Sequence, residues 1–120
     1  MAKRDRRGAE KRGRYAEALS VLWLRLKGYS ILATRLKLAV GEIDIIARRG
    51  NVLAFIEVKF RTELATAQTA VTGKSWARIA RAADVWTARH PSLSQLDWRY
   101  DLIAWSRRTW PRHYRDYWRP

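Results

Sequence analysis

A chain of 120 residues with 48% apolar side chains and seven tryptophans is long enough for a single folded domain around one core. It contains no cysteine, which excludes disulfides, thiolate metal sites and cysteine nucleophiles. Its formal net charge of +14 makes polyanions the expected partners, nucleic acid first, because lysine and arginine gain affinity for phosphates by releasing condensed counterions.

The charge is uneven. Residues 1–14 carry seven basic and two acidic side chains, and residues 106–120 carry five and one. No window approaches the roughly 18 apolar residues of a membrane span, and the start of the chain lacks the apolar core of a signal peptide. Together with the missing cysteines, this gives a cytoplasmic protein with no membrane partner as the expectation.

Taken in order, residues 9–27 read as a helix ended by Gly28. Tyr15, Leu19, Leu22 and Leu26 form one stripe on it, with Gly13, Glu17, Val21 and Leu24 opposite. Apolar residues on two sides predict packing on two sides, which makes Glu17 the odd residue of its face. Residues 29–35 form a short β-like run, and residues 42–48 and 52–61 are stronger strands rich in Ile, Val and Phe. A polar, alanine-rich connection over 62–72 leads into a second helix at 74–89, stopped by Pro91. Asp97–Trp105 is a last strand. The order α-β-β-β-α-β predicts a helix-flanked mixed sheet of α/β class over residues 1–105, with a basic aromatic tail at 106–120.

Two strands carry charges that a buried β-sheet does not need. Gly41-Glu42-Ile43-Asp44 is followed thirteen residues after Asp44 by Glu57-Val58-Lys59. Gly50-Asn51 between them is a two-residue turn signal. With those two residues as the loop, Arg49 faces Val52, Asp44 faces Glu57 and Glu42 faces Lys59. Side-chain alternation then brings all four charged groups out on one face. Opposed Cβ atoms lie about 4.5–5.5 Å apart, close enough for two carboxylates to share a divalent cation. Hard cations such as Mg²⁺ or Mn²⁺ suit this donor set, and Lys59 would stabilise charge on a phosphate. The chemistry so described is metal-assisted phosphodiester hydrolysis. A pair of cross-strand salt bridges accounts for the same residues, and composition alone does not separate the two readings.

At these residues the chain resembles the PD-(D/E)XK nuclease superfamily, Glu57-Val58-Lys59 matching its E-x-K element and Asp44 the preceding aspartate. More closely, Gly13-Arg14-Tyr15-Ala16-Glu17, Gly28-Tyr29, residues 41–47, residues 55–59 with Arg61, and Lys74 resemble the YraN-like family of bacterial proteins, over about residues 8–105. The resemblance implies a restriction-endonuclease-like fold, Asp44, Glu57 and the helical Glu17 as metal ligands, and Lys59 as the catalytic lysine. It also implies Glu42 as a supporting partner and Lys74 as a polar group near the site. The connection after Arg61 lacks the glycine such folds carry there, and the tail lies outside the shared pattern.

The second helix divides into an apolar face, Trp76, Ile79, Ala80, Ala83 and Trp86, and a basic face, Lys74, Arg78, Arg81 and Arg89. With Arg61, that basic face is the expected nucleic-acid-binding surface. The tail interleaves arginines with aromatic rings, which suits either stacking on unpaired bases or docking of the rings on the tail's own domain. His90 and His113 are isolated in sequence and read as incidental. The expected activity is an endonuclease acting on branched or flapped DNA, with DNA ahead of RNA as partner. A non-catalytic nucleic-acid-binding module of the same fold is the alternative. Symmetric cutting of a junction would call for a homodimer, although no dimer surface is legible.

Overall fold

A computed structural model describes residues 3–107 and 109–120 of the chain. Met1, Ala2 and Arg108 lie outside the described residues, as do the side chains of 3–7, 9, 64 and 65. Much of the basic N-terminal run and one arginine of the tail are therefore among the residues outside that description.

Helix α1 (Lys3–Leu26) leads into strands β1 (Ser30–Leu38), β2 (Gly41–Arg49) and β3 (Val52–Phe60). Helices α2 (Leu64–Thr69) and α3 (Gly73–Ala88) carry the chain over the sheet to β4 (Asp97–Trp105), and β5 (Arg112–Trp118) closes the order. The five strands lie in sequence order, with β3 and β4 parallel and all other neighbours antiparallel. This is the helix-flanked mixed α/β sheet expected from the sequence, compatible with a restriction-endonuclease-like fold. Among the described residues, no helix is long and apolar enough to cross a membrane.

Each face of the sheet has its own core. Ile45, Ala47, Ala54, Ile56, Val58 and Ile103 pack beneath Ala16 and Leu24 of α1. Ile43, Ile46, Leu53, Phe55 and Leu102 pack beneath Trp76, Ile79, Ala83 and Trp86 of α3. Helix α3 thus buries most of the apolar face predicted for it, with Ala80 only partly covered and Ala82 buried in addition, and it is capped at its start by Thr72, whose Oγ1 accepts from the Ser75 N–H at 3.2 Å. A polar bridge fixes α1 on β4, the Trp105 indole donating to Ser20 Oγ at 2.8 Å while Ser20 donates to the Ala16 carbonyl.

The predicted two-sided packing of α1 does not occur. Tyr15, Leu19, Leu22 and Leu26 are exposed, up to 79% at Leu26, and only the opposite stripe meets the sheet. Apolar periodicity locates a stripe, but it does not say what covers it. Leu19, Leu22, Trp23 and Leu26 instead line an open apolar groove with Trp105, Trp110 and Pro111.

The tail docks rather than hanging free. Tyr114, Tyr117 and Trp118 pack against the α3-side core, Trp118 stacking on Trp76 with ring centroids 5.9 Å apart. The Tyr117 hydroxyl donates to the Gln68 carbonyl of α2 at 2.8 Å. Its anchor is Asp101 of β4, fully buried at 0% exposure. That carboxylate accepts two bonds from the Arg99 guanidinium at 2.8 Å each, one from His113 Nε2 at 2.7 Å and one from the Asp116 N–H at 3.0 Å. Asp116 reaches it by adopting a left-handed φ of 53° at the irregularity in the β4–β5 register. With Nε2–H given to Asp101, His113 Nδ1 is left to accept from Lys27 Nζ at 2.6 Å, tying α1 to the same cluster.

His113 is therefore not incidental, contrary to the sequence reading; its partners lie 12 and 86 residues away and leave no local signature. These partners hold the Asp101 carboxyl below the usual carboxylate range despite its burial. His90 stacks on Trp86 and its ring Nδ1 bonds to the Trp86 carbonyl, a helix-end contact. Because Asp101 serves four donors, Asp101→Ala should cost about 3–5 kcal/mol of folding stability, read by urea denaturation. A variant within about 1 kcal/mol of wild type would contradict the anchor role.

Candidate active site

The predicted hairpin register holds where β2 and β3 are paired. Arg49 faces Val52, Ala47 faces Ala54 and Ile45 faces Ile56, with Gly50 at φ 57° supplying the left-handed turn conformation. Beyond Ile45 and Ile56 the paired ladder stops. Continued register would give the Val58 N–H to the Ile43 carbonyl. Instead Val58 donates to Asp44 Oδ2 at 2.8 Å. An aspartate side chain has taken the place of a backbone acceptor, and β2 parts from β3 at that point.

Strand alternation reverses at the same residue. Ile43 and Ile46 lie in the α3-side core, whereas Ile45 and Ala47 lie in the α1-side core. On β1, Arg35 falls between the Thr34–Ile45 and Leu36–Ile43 pairs and has φ 52°. The two strands thus kink together, with Asp44 at the crossing. The expected facing pairs, Asp44 with Glu57 and Glu42 with Lys59, are absent from the backbone ladder. Their side chains nevertheless gather in one cavity.

That cavity, of about 260 Å³, is lined by Glu42, Asp44, Glu57, Lys59, Ala70, Val71, Ser75, Arg78 and Ile79. Gly41 sets its width. A Cβ there would overlap the carbonyl of Arg78, so the missing side chain lets α3 lie against the start of β2 with Arg78 in the lining of the cavity. Ser75 is a member that sequence reasoning missed; the Thr72-x-x-Ser75 capping pattern places it on the first turn of α3, one turn before Arg78. Lys74 is exposed and is not part of the lining, as are Arg81 and Arg89 further along α3 and Arg61 beyond β3.

Electrostatics set this cavity apart. Burial raises the pKa of Asp44, opposed by the Val58 N–H and by Lys59. Glu57 is pushed up to about 8 by burial and by the charge of Asp44, against the pull of Lys59. Lys59 Nζ lies 3.3 Å from Glu57 Oε1, and its charge also favours ionised Asp44, the other carboxyl of the pair. The pair therefore takes up a proton near neutrality unless a further cation joins it. Glu17 lies in a neighbouring cavity with Arg14, Thr34, Arg35 and Ile45. Burial first, then the charge of Asp44, raises its pKa, and its Oε1 is buried without a hydrogen-bond partner.

Asp44 is thus the carboxylate whose charge both Glu17 and Glu57 feel. Among the described residues, no three metal-binding side chains converge into one cage. The all-oxygen donor set of Asp44 and Glu57 does fit a hard cation that takes one or two carboxylates and fills its remaining positions with water and phosphate. Glu42 shares their cavity, while Glu17, with its orphaned oxygen, lines a separate one and feels the charge of Asp44.

The fold and this cavity define a class of protein: a mixed α/β sheet that parts between two neighbouring strands to hold paired acids beside a lysine. The chain belongs to the uncharacterised protein family UPF0102, whose pattern it matches over residues 16–105. It is 48% identical to a UPF0102 protein of Maricaulis maris over 98% of this chain and 92% of that one. A UPF0102 protein of Chelativorans is 47% identical over 93% of this chain and 90% of its own length. One from Methylorubrum extorquens is 48% identical, covering 90% and 84% respectively. The family resemblance seen in the sequence is borne out.

The raised Glu57 has a consequence for stability. Its folded pKa near 8 lies above its ordinary value of 4.5, so its contribution is complete below pH 4.5 and is lost as pH rises towards 8. The melting temperature should fall across that window, fall less in millimolar Mg²⁺, and show a flatter profile in Glu57→Gln. A profile identical in wild type and Glu57→Gln would contradict this electrostatic account.

Proposed function

We propose that this protein is a metal-dependent phosphodiesterase that hydrolyses DNA, with branched or flapped molecules as its substrates. The observation that carries the reading is the half-buried Asp44–Glu57 pair with Lys59 beside it, in a cavity also lined by Arg78 and Ser75. Two half-buried acids whose carboxyl pKa values are pushed up, supported by one lysine, are costly to a fold, and such perturbed groups concentrate where chemistry is done.

The residues divide the work by position. Asp44 and Glu57 would hold Mg²⁺ or Mn²⁺, which supplies Lewis-acid polarisation of phosphoryl oxygens when bound. The Val58 N–H keeps the Asp44 carboxylate oriented. Lys59, partly exposed at 29%, is free to exchange its contact with Glu57 for charge developing on a phosphate. Arg78 faces the same space from α3 and would clamp a non-bridging oxygen. Glu42, exposed at the rim, would orient solvent. Exposed Lys74, Arg81 and Arg89 extend the positive surface along α3, where phosphate contacts position a strand without reading its sequence.

The Lys59–Glu57 ion pair is the observation that favours the rival, a nucleic-acid-binding module without turnover. Labelled duplex, single-stranded, flap and four-way-junction DNA, each with Mg²⁺, Mn²⁺ or EDTA, separate the two. Metal-dependent cleavage should drop roughly a hundredfold or more in Asp44→Asn and in Lys59→Ala. Cleavage indifferent to both substitutions would overturn the site, and binding without cleavage would establish the module.

A further inference from the structure

A second cavity adjoins the first and shares Lys59 with it. It has a volume of about 290 Å³ and lies between α1 and the ends of β3 and β4. Its lining comprises Arg12 and Gly13 of α1, Val58 to Thr62 at the end of β3, and Arg107 beyond β4. Four of these side chains are cations, Arg12, Lys59, Arg61 and Arg107, and none is acidic. Among the described residues, neither Arg12 nor Arg107 has an ion-pair partner. Arg61 spends one of its donors on the neighbouring Phe60 carbonyl, which leaves the rest of its guanidinium to the solvent side. Like charges collected round a concave surface repel one another, and a bound anion relieves that repulsion.

Gly13 supplies an independent observation. It sits in the interior of α1, where glycine is less favourable than alanine. Nothing in the fold demands it: a Cβ at this position would meet no atom within 4 Å. The glycine leaves open a stretch of helix surface that forms part of the wall of this cationic cavity. An incoming group can therefore approach the helix backbone where any other residue would stand in its way.

We propose that this cavity is a phosphate-binding subsite for a DNA strand, receiving a backbone phosphate next to the one at Lys59. Arg12, Arg61 and Arg107 bind the phosphate, and Gly13 admits the sugar–phosphate chain close to α1. Because Lys59 borders both cavities, the strand passes across the end of β3 from the α3 side of the sheet to the α1 side. The inference rests on the proposed action on DNA but concerns binding alone, so it can be tested where no cleavage occurs.

The experiment measures binding of the full chain to labelled single-stranded DNA, single-stranded RNA and four-way-junction DNA in EDTA, by fluorescence anisotropy across a salt series. Gly13→Leu should melt at or above the wild-type temperature, because leucine outranks glycine inside a helix. It should nevertheless bind roughly ten-fold more weakly, the size of a lost charge-assisted contact. Arg107→Ala should lower the log–log salt slope by about 0.7–0.9, one phosphate's share. A well-folded Gly13→Leu with wild-type affinity, or an unchanged slope in Arg107→Ala, would overturn the subsite. Inorganic phosphate that displaces DNA from wild type and Gly13→Leu equally well would also overturn it. Preferential loss of an RNA strand over a DNA strand would overturn the assignment to DNA. Wild-type cleavage with an unaffected Gly13→Leu would remove the subsite and keep the proposed activity; weakened binding in a protein that never cleaves would do the reverse.

Discussion

The hydrogen bond from the Val58 N–H to the Asp44 carboxylate organises the rest of the site. A β-ladder normally satisfies its own donors and acceptors, and a buried donor without a partner is costly. By accepting from β3 with a side chain, Asp44 lets β2 and β3 separate without stranding that amide. The separation opens the cavity, and it also commits a carboxylate to a place where burial disfavours its charge. Glu57 is then forced into the same field from the adjoining strand. The cost of the arrangement and the chemistry proposed for it have one origin.

The surroundings are consistent with that origin. The absence of a side chain at Gly41 allows α3 to approach until Arg78 lines the cavity of the acids, while the kink at Arg35 on β1 matches the reversal on β2. On the other face, Ser20 and Trp105 hold α1 to β4, which fixes where Glu17 meets the sheet. Asp101 gathers Arg99, His113 and the β5 backbone at a distance from the acids, so the tail is part of the framework that keeps the β3–β4 pair rigid. Rigid support of this kind is what holds charged groups at a working separation.

Much of this was legible in the sequence, for reasons that are local. Gly50-Asn51 defined the hairpin and its register as far as Ile45 and Ile56; beyond them the expected pairing of Asp44 with Glu57 gives way to a shared cavity. The alternation of Trp76, Ile79, Ala83 and Trp86 with arginines identified both faces of α3. What could not be read depends on non-local geometry. The reversal at Asp44 arises from a left-handed Arg35 on another strand, a conformation arginine rarely adopts and composition does not announce. The role of His113 depends on Asp101 and Lys27, and β5 is bent by another non-glycine residue with positive φ, Asp116. The leucine stripe on α1 was visible as a stripe, but its exposure was not, because periodicity has no knowledge of the neighbour.

The central claim is that the parted strands create a cation site centred on Asp44. Calorimetric titration of Mn²⁺ into the full chain tests it most directly, with Asp44→Asn, Glu57→Gln and Glu17→Gln measured alongside and far-UV circular dichroism confirming that each is folded. The account predicts a single class of site in wild type, abolished by Asp44→Asn, strongly weakened by Glu57→Gln and less affected by Glu17→Gln. Binding that survives intact in Asp44→Asn, or no binding in wild type, would contradict it.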